Sequence, residues 1–136
     1  MSPFQIAFLD HVAIRVKDVE KSAQWYEEIL GLKRYQLPVW GKIPILLLAG
    51  KTGIAIFPAN LPNAVLNKSS ENIKIDHFAF NVTNDDFIKA QQHFTKIGLA
   101  YEIQDHHYFH SLYLKDPDGH LVELTTLVVA EEAFYG

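Results

Sequence analysis

Leu9-Asp10-His11-Val12-Ala13-Ile14-Arg15-Val16 returns later in the chain as Ile75-Asp76-His77-Phe78-Ala79-Phe80-Asn81-Val82. Both stretches read apolar-Asp-His-x-Ala-x-x-Val, and their histidines stand 66 residues apart in a chain of 136. A repeat of that period means two copies of one supersecondary unit. Within each copy the apolar residues alternate with His, Ala and Arg or Asn, the period of a half-buried strand. Val12, Ile14 and Val16, or Phe78, Phe80 and Val82, face a helix; the histidine side faces away.

Working outward, Asp18 offers a helix N-cap, Val19, Ala23, Tyr26 and Leu30 follow at helical spacing, and Gly31 sits where a C-cap glycine belongs. Strands are expected over 33–37, 43–49 and 54–57, with a turn at Gly50-Lys51-Thr52-Gly53. The second copy repeats the order. Asn84-Asp85-Asp86 caps a helix carrying Phe87, Gln91, Phe94 and Ile97, and Gly98 closes it. A strand near 101–103 precedes a hairpin of 111–115 and 120–126 around Asp116-Pro117-Asp118-Gly119. The fold class is α+β: two tandem βαβββ modules forming a cupped mixed sheet. Module one spans about 5–60, a proline- and asparagine-rich linker about 58–72, and module two about 73–128, within one domain over 1–136.

Bulk properties exclude several classes. The chain is 49% hydrophobic and 21% charged, a globular composition, and its net charge of −4 comes without the clustered Lys and Arg of a nucleic-acid surface. No apolar run approaches the ~20 residues that span a bilayer, so no membrane partner is expected. The N-terminus lacks the basic region of a signal peptide, and a cytoplasmic location is expected. Cysteine is absent, which removes disulfides, thiolate metal ligands and a cysteine nucleophile.

Glu123 is the one acid inside the apolar strand Leu121-Val122-Glu123-Leu124, where Glu is disfavoured. At an offset of 66 it matches Phe57, so the repeat offers His11, Phe57, His77 and Glu123 as equivalent positions. His11, His77 and Glu123 form a 2-His-1-carboxylate set, which leaves coordination positions open on a divalent ion. Fe(II) or Mn(II) is favoured, with Ni(II) or Zn(II) also compatible. If Asp116 pairs with His120, Tyr113 falls opposite Glu123, either to orient or protonate a metal-bound ligand or to fill the wall of the cleft. His106, His107 and His110 cluster upstream; His106 or His107 is a candidate acid or base, or the segment is simply a polar loop. Arg15 shares the face of His11 and either holds an anionic group or makes a salt bridge.

The two Asp-His strands and the ending Asp116-Pro117-Asp118-Gly119-His120-Leu121-Val122-Glu123 resemble the vicinal oxygen chelate superfamily over nearly the whole chain. That superfamily includes glyoxalase I, extradiol dioxygenases, fosfomycin-resistance thiol transferases, methylmalonyl-CoA epimerase and bleomycin-binding proteins. The resemblance implies an eight-stranded cup around a metal that chelates adjacent oxygens of a small-molecule substrate. It also implies a homodimer in which His11 from one chain joins His77 and Glu123 from the other. Glyoxalase I and the epimerase use a fourth ligand where this chain has Phe57. Thiol transferases keep the three ligands and the tyrosine, but favour Thr or Cys where this chain has Ala13, and their basic residues for a phosphonate are not evident. Extradiol dioxygenases share the ligands and the tyrosine, and His106 or His107 is the candidate for their catalytic histidine, although Gln104 stands at its expected spacing. A metal-dependent extradiol-type dioxygenase is therefore the first expectation. A glyoxalase I-like lyase, a fosfomycin-type thiol transferase and a non-catalytic bleomycin-type binding protein are the alternatives.

Overall fold

The computed structural model describes residues 2–67 and 71–136. Residues 68–70 of the expected linker lie outside the described residues. The chain forms two compact units, Met1–Leu66 and Asn67–Gly136.

The first unit runs β1 (His11–Val16), α1 (Val19–Leu30), β2 (Lys33–Tyr35), a 3-10 turn (Pro38–Trp40), β3 (Ile45–Ala49) and β4 (Thr52–Pro58). Its four strands stand in the order β1-β4-β3-β2, with β1 parallel to β4 and the other pairs antiparallel. Period-2 alternation buries Ile14 and Val16 of β1 with Ile45, Leu47, Ile54 and Ile56. Helix α1 covers that face with Ala23 and a fully buried Tyr26. The Asp18 carboxylate accepts the Lys21 backbone N–H at 3.1 Å, and Gly31 ends the helix at φ 66°, a left-handed cap that other residues adopt only with strain. Arg34 of β2 donates to both Glu20 and Glu27 of α1, clamping the short strand to the helix. Arg15 donates to the Pro58 carbonyl at 2.9 Å, so its role in the structure is to hold β1 to the end of β4.

The second unit runs β5 (Phe78–Asn81), α2 (Asn84–Lys96), β6 (Glu102–Asp105), β7 (Phe109–Lys115), β8 (Leu121–Leu127) and α3 (Glu131–Phe134), with strand order β5-β8-β7-β6. Again the first strand lies parallel to the last. Helix α2 packs on β8, and Phe87 and Phe94 of the helix are buried, as are Leu112, Leu114, Val122 and Leu124 of the sheet. Both units are thus βαβββ, as the repeat implied.

Two local expectations need correction, and one element goes beyond what was expected. Thr83, rather than Asn84, caps α2: its hydroxyl accepts the Asp86 N–H at 3.1 Å, while Asn84 Oδ1 is taken by the Thr126 hydroxyl at 2.7 Å. The closing helix α3 was not anticipated, because four residues give no readable period. Finally, Phe57 is not the counterpart of Glu123. Ala79 pairs with Glu123 and its repeat-mate Ala13 pairs with Ala55, which leaves Phe57 at the position of Thr125. The β3–β4 turn is only Gly50-Lys51, whereas 116–120 separate the paired Lys115 and Leu121, so the repeat slips along each module. Ala55 cannot ligate a metal either, so the equivalent position still carries no donor.

Candidate metal centre

The site of the second unit is built on the sheet face that α2 does not cover. Strand alternation puts His77, Ala79 and Asn81 on that face, with Glu123 and Thr125 paired beside them and Tyr113 directly opposite Glu123. The register at Tyr113 is fixed by the hairpin loop, where the Asp116 N–H donates to the His120 carbonyl.

His77 Nε2 and Glu123 Oε1 lie 2.9 Å apart. Both are supported from behind. His77 Nδ1 meets Asp76 Oδ2 at 2.8 Å, and the Ser111 hydroxyl donates to Glu123 Oε2 at 2.8 Å. Glu123 is only 7% exposed and Ser111 is fully buried, so this carboxylate is held where charge is costly unless compensated. The hydrogen bond from His77 holds the Asp76 carboxyl below its ordinary range.

Tyr113 stands edge-on to His77, ring centroids 5.7 Å apart, and its hydroxyl lies 2.9 Å from His106 Nε2. Burial, then the hydrogen bond with Glu123 and the charge of that carboxylate, push the phenol above its usual value, so it remains protonated at neutral pH. His77, Glu123, Tyr113 and His106 are therefore brought together. His107 differs: it sits at φ 69° in the β6–β7 turn, its backbone N–H on Asp105 Oδ1 at 2.8 Å. His110 lies near the same Asp105. His11 belongs to the first unit, where its Nδ1 meets Asp10 Oδ1 at 2.8 Å, as His77 meets Asp76. Sequence reasoning missed Ser111; its placement across from Thr125, two residues back from Tyr113, was available from the hairpin register.

The donor chemistry fits a divalent ion. Carboxylate oxygens face both nitrogens of His77, yet a neutral imidazole can donate from only one of them. Either a second proton or a cation at the Nε2 side satisfies the arrangement. A carboxylate holding the far nitrogen is the usual support of a metal-binding histidine. Among the described residues no group of three or more His, Cys, Asp and Glu side chains stands close enough to hold an ion by itself. His77 and Glu123 supply two donors.

The fold belongs to a known class. The model of the Glyoxalase/Bleomycin resistance protein/Dioxygenase superfamily matches residues 8–124, and the chain belongs to that superfamily. Among its relatives, the chain is 30% identical over 138 residues to a metallothiol transferase FosB of Staphylococcus epidermidis, covering 96% of this chain and 89% of that one. It is 28% identical over 116 residues to a glutathione transferase FosA of Serratia marcescens, covering 85% and 78%. A glyoxalase/dioxygenase from Nostoc punctiforme shares the fold at a TM-score of 0.78, with 20% identity over 95% of this chain and 97% of that one.

Proposed function

We propose that this protein is a divalent-metal-dependent transferase that joins a small thiol to an electrophilic, oxygen-chelating substrate. The observation that carries it is the paired His77 and Glu123 with the protonated Tyr113 beside them, in a chain whose relatives are named metallothiol and glutathione transferases. His77 and Glu123 would hold the ion, with His11 as third ligand, supplied within a homodimer. When bound, the ion would act as a Lewis acid on the substrate's oxygens. In such a transfer a thiolate sulfur bonds to carbon, a carbon–oxygen bond breaks, and the released oxygen needs a proton. Tyr113 is the donor on hand, and His106 at its hydroxyl restricts where that O–H points. Asp76 and Ser111 keep the two metal-side groups aligned.

The extradiol-type dioxygenase expected first has less support. Gln104, exposed on β6, stands at the spacing of that chemistry's histidine.

The test is metal analysis of gently purified protein, followed by incubation with glutathione and, first among electrophiles, fosfomycin, reading adduct mass. Stoichiometric metal in wild type, its loss in Glu123→Ala, and an adduct of thiol plus electrophile are expected. Tyr113→Phe should lower kcat by about 10²-fold, the usual cost of one positioned donor. Oxygen uptake with catechols and no adduct from any thiol would return the assignment to the dioxygenase.

A further inference from the structure

The turn that carries His106 is held from outside its own hairpin. His106, His107 and Tyr108 connect β6 to β7, and the His106 N–H closes the turn on the Phe109 carbonyl at 2.8 Å. His107 stands there in the left-handed region, a conformation costly for a residue with a side chain and kept where the surroundings fix it. Asp105 supplies one such constraint through the His107 N–H. Others come from the segment after β8. The Val128 N–H donates to the Tyr108 carbonyl at 2.9 Å, and Phe134 of α3 sets its ring against both turn aromatics, centroids 5.7 Å from Tyr108 and 4.8 Å from Phe109. Tyr135 extends the cluster, 5.0 Å from Phe134 and 6.4 Å from Phe109. Ring pairs at these distances attract beyond their buried area.

His106 depends on that turn for its place. Its ring is exposed, and among the described residues Tyr113 is the side chain bonded to it, at 2.9 Å from Nε2. An exposed ring with one such bond goes where its backbone goes. The Tyr108 N–H donates to the His106 carbonyl at 2.9 Å, so a shift of Tyr108 passes directly to His106. Helix α3 has four residues, and Phe134 and Tyr108 are each 49% exposed, so their contact can open without disturbing the core of the unit. The ring contacts of Phe134 are to Tyr108, Phe109 and Tyr135, and the turn is its route to Tyr113.

We propose that the segment following β8 is a clasp that sets His106 against the Tyr113 hydroxyl, with Phe134 as a positioning residue for that pair. What the pair does in turnover rests on the transferase reading, whereas the clasp itself is read without turnover. Long-range proton–nitrogen spectra of metal-free protein carrying isotope-labelled histidine report each imidazole, and His106→Ala identifies the His106 signal by its loss. Tyr113→Phe should displace the Nε2 resonance of His106, because its partner is gone. Phe134→Ala should displace the same resonance in the same direction, and should displace it no further in the Tyr113→Phe background. Phe134→Tyr, which keeps the ring, should leave it at the wild-type position. Ile97→Ala removes a similarly exposed apolar side chain from the end of α2, and should leave it there too. Where a thiol is transferred, Phe134→Ala should lower kcat about 10-fold with both KM values unchanged, within what a small misplacement from outside the chemistry costs. In the His106→Ala background it should lower kcat no further. A His106 signal unmoved by Phe134→Ala overturns the clasp even where transfer is observed, as does an equal further displacement in the Tyr113→Phe background. A signal that moves as stated and is restored by Phe134→Tyr upholds it even where no electrophile is turned over.

Discussion

At the scale of single residues, the informative group is an imidazole with an acid on each side. Asp76 is exposed, so replacing it should leave the fold intact, yet it sets the ring that presents Nε2 to Glu123. Asp76→Asn should therefore weaken metal affinity about 10- to 100-fold, as loss of an outer carboxylate usually does, with little change in melting temperature. Competition against a chelator of known affinity measures it; an unchanged affinity would remove Asp76 from the site. The candidate residues were legible because a charged or imidazole side chain recurred in the strand phase that faces away from the helix. Ser111 was not, because a small hydroxyl is ordinary in any strand and gains meaning only from the carboxylate across the ladder.

At the scale of elements, the β7–β8 loop has a titratable lock. The buried Asp116 carboxylate accepts the N–H groups of Asp118 and His120 and meets His120 Nδ1 at 2.8 Å. That hydrogen bond, opposed by partial burial and aided by the charge of Asp116, raises the His120 pKa. A raised folded-state pKa means the protonated ring favours the native hairpin. Its contribution is full below the unfolded value of about 6.5 and disappears as pH rises through the raised native value. Urea midpoints across pH 5.5–9 should thus fall through that window in wild type, and His120→Gln should flatten that part of the profile. Thr83→Ala should cost about 1 kcal/mol by freeing the first turn of α2, read as a lower midpoint at unchanged slope. Helices and strands of ordinary length were readable from period and cap residues. Misreadings fell where neighbouring residues compete for one role, as Thr83 and Asn84 do at the start of α2.

At the scale of the whole molecule, the duplication was plain from sequence, and so was the family. What slipped was the register between copies, because a turn of two residues in one module is matched by a five-residue loop in the other. The misassigned Phe57 came from carrying one offset through that difference. No helix among the described residues is long and apolar enough to cross a membrane. A ligand that binds only the native chain stabilises all of it, by about 2.7 kcal/mol at a hundred times its dissociation constant. Manganese or zinc at that excess should raise the melting temperature of wild type by several degrees, and Glu123→Ala should abolish the rise. A rise that persists in that variant would place the ion elsewhere.

The parallel pairing of first strand with last has a consequence for synthesis. His11 finds Gly53, and Phe78 finds Val122, only after the rest of the module has been made. As the chain leaves the ribosome, each Asp-His segment waits as an unzipped margin, and the strand that ends its wait in the second module is the one that delivers Glu123. The histidine and the carboxylate thus meet in the closing step of assembly, so no partly made module can present the pair.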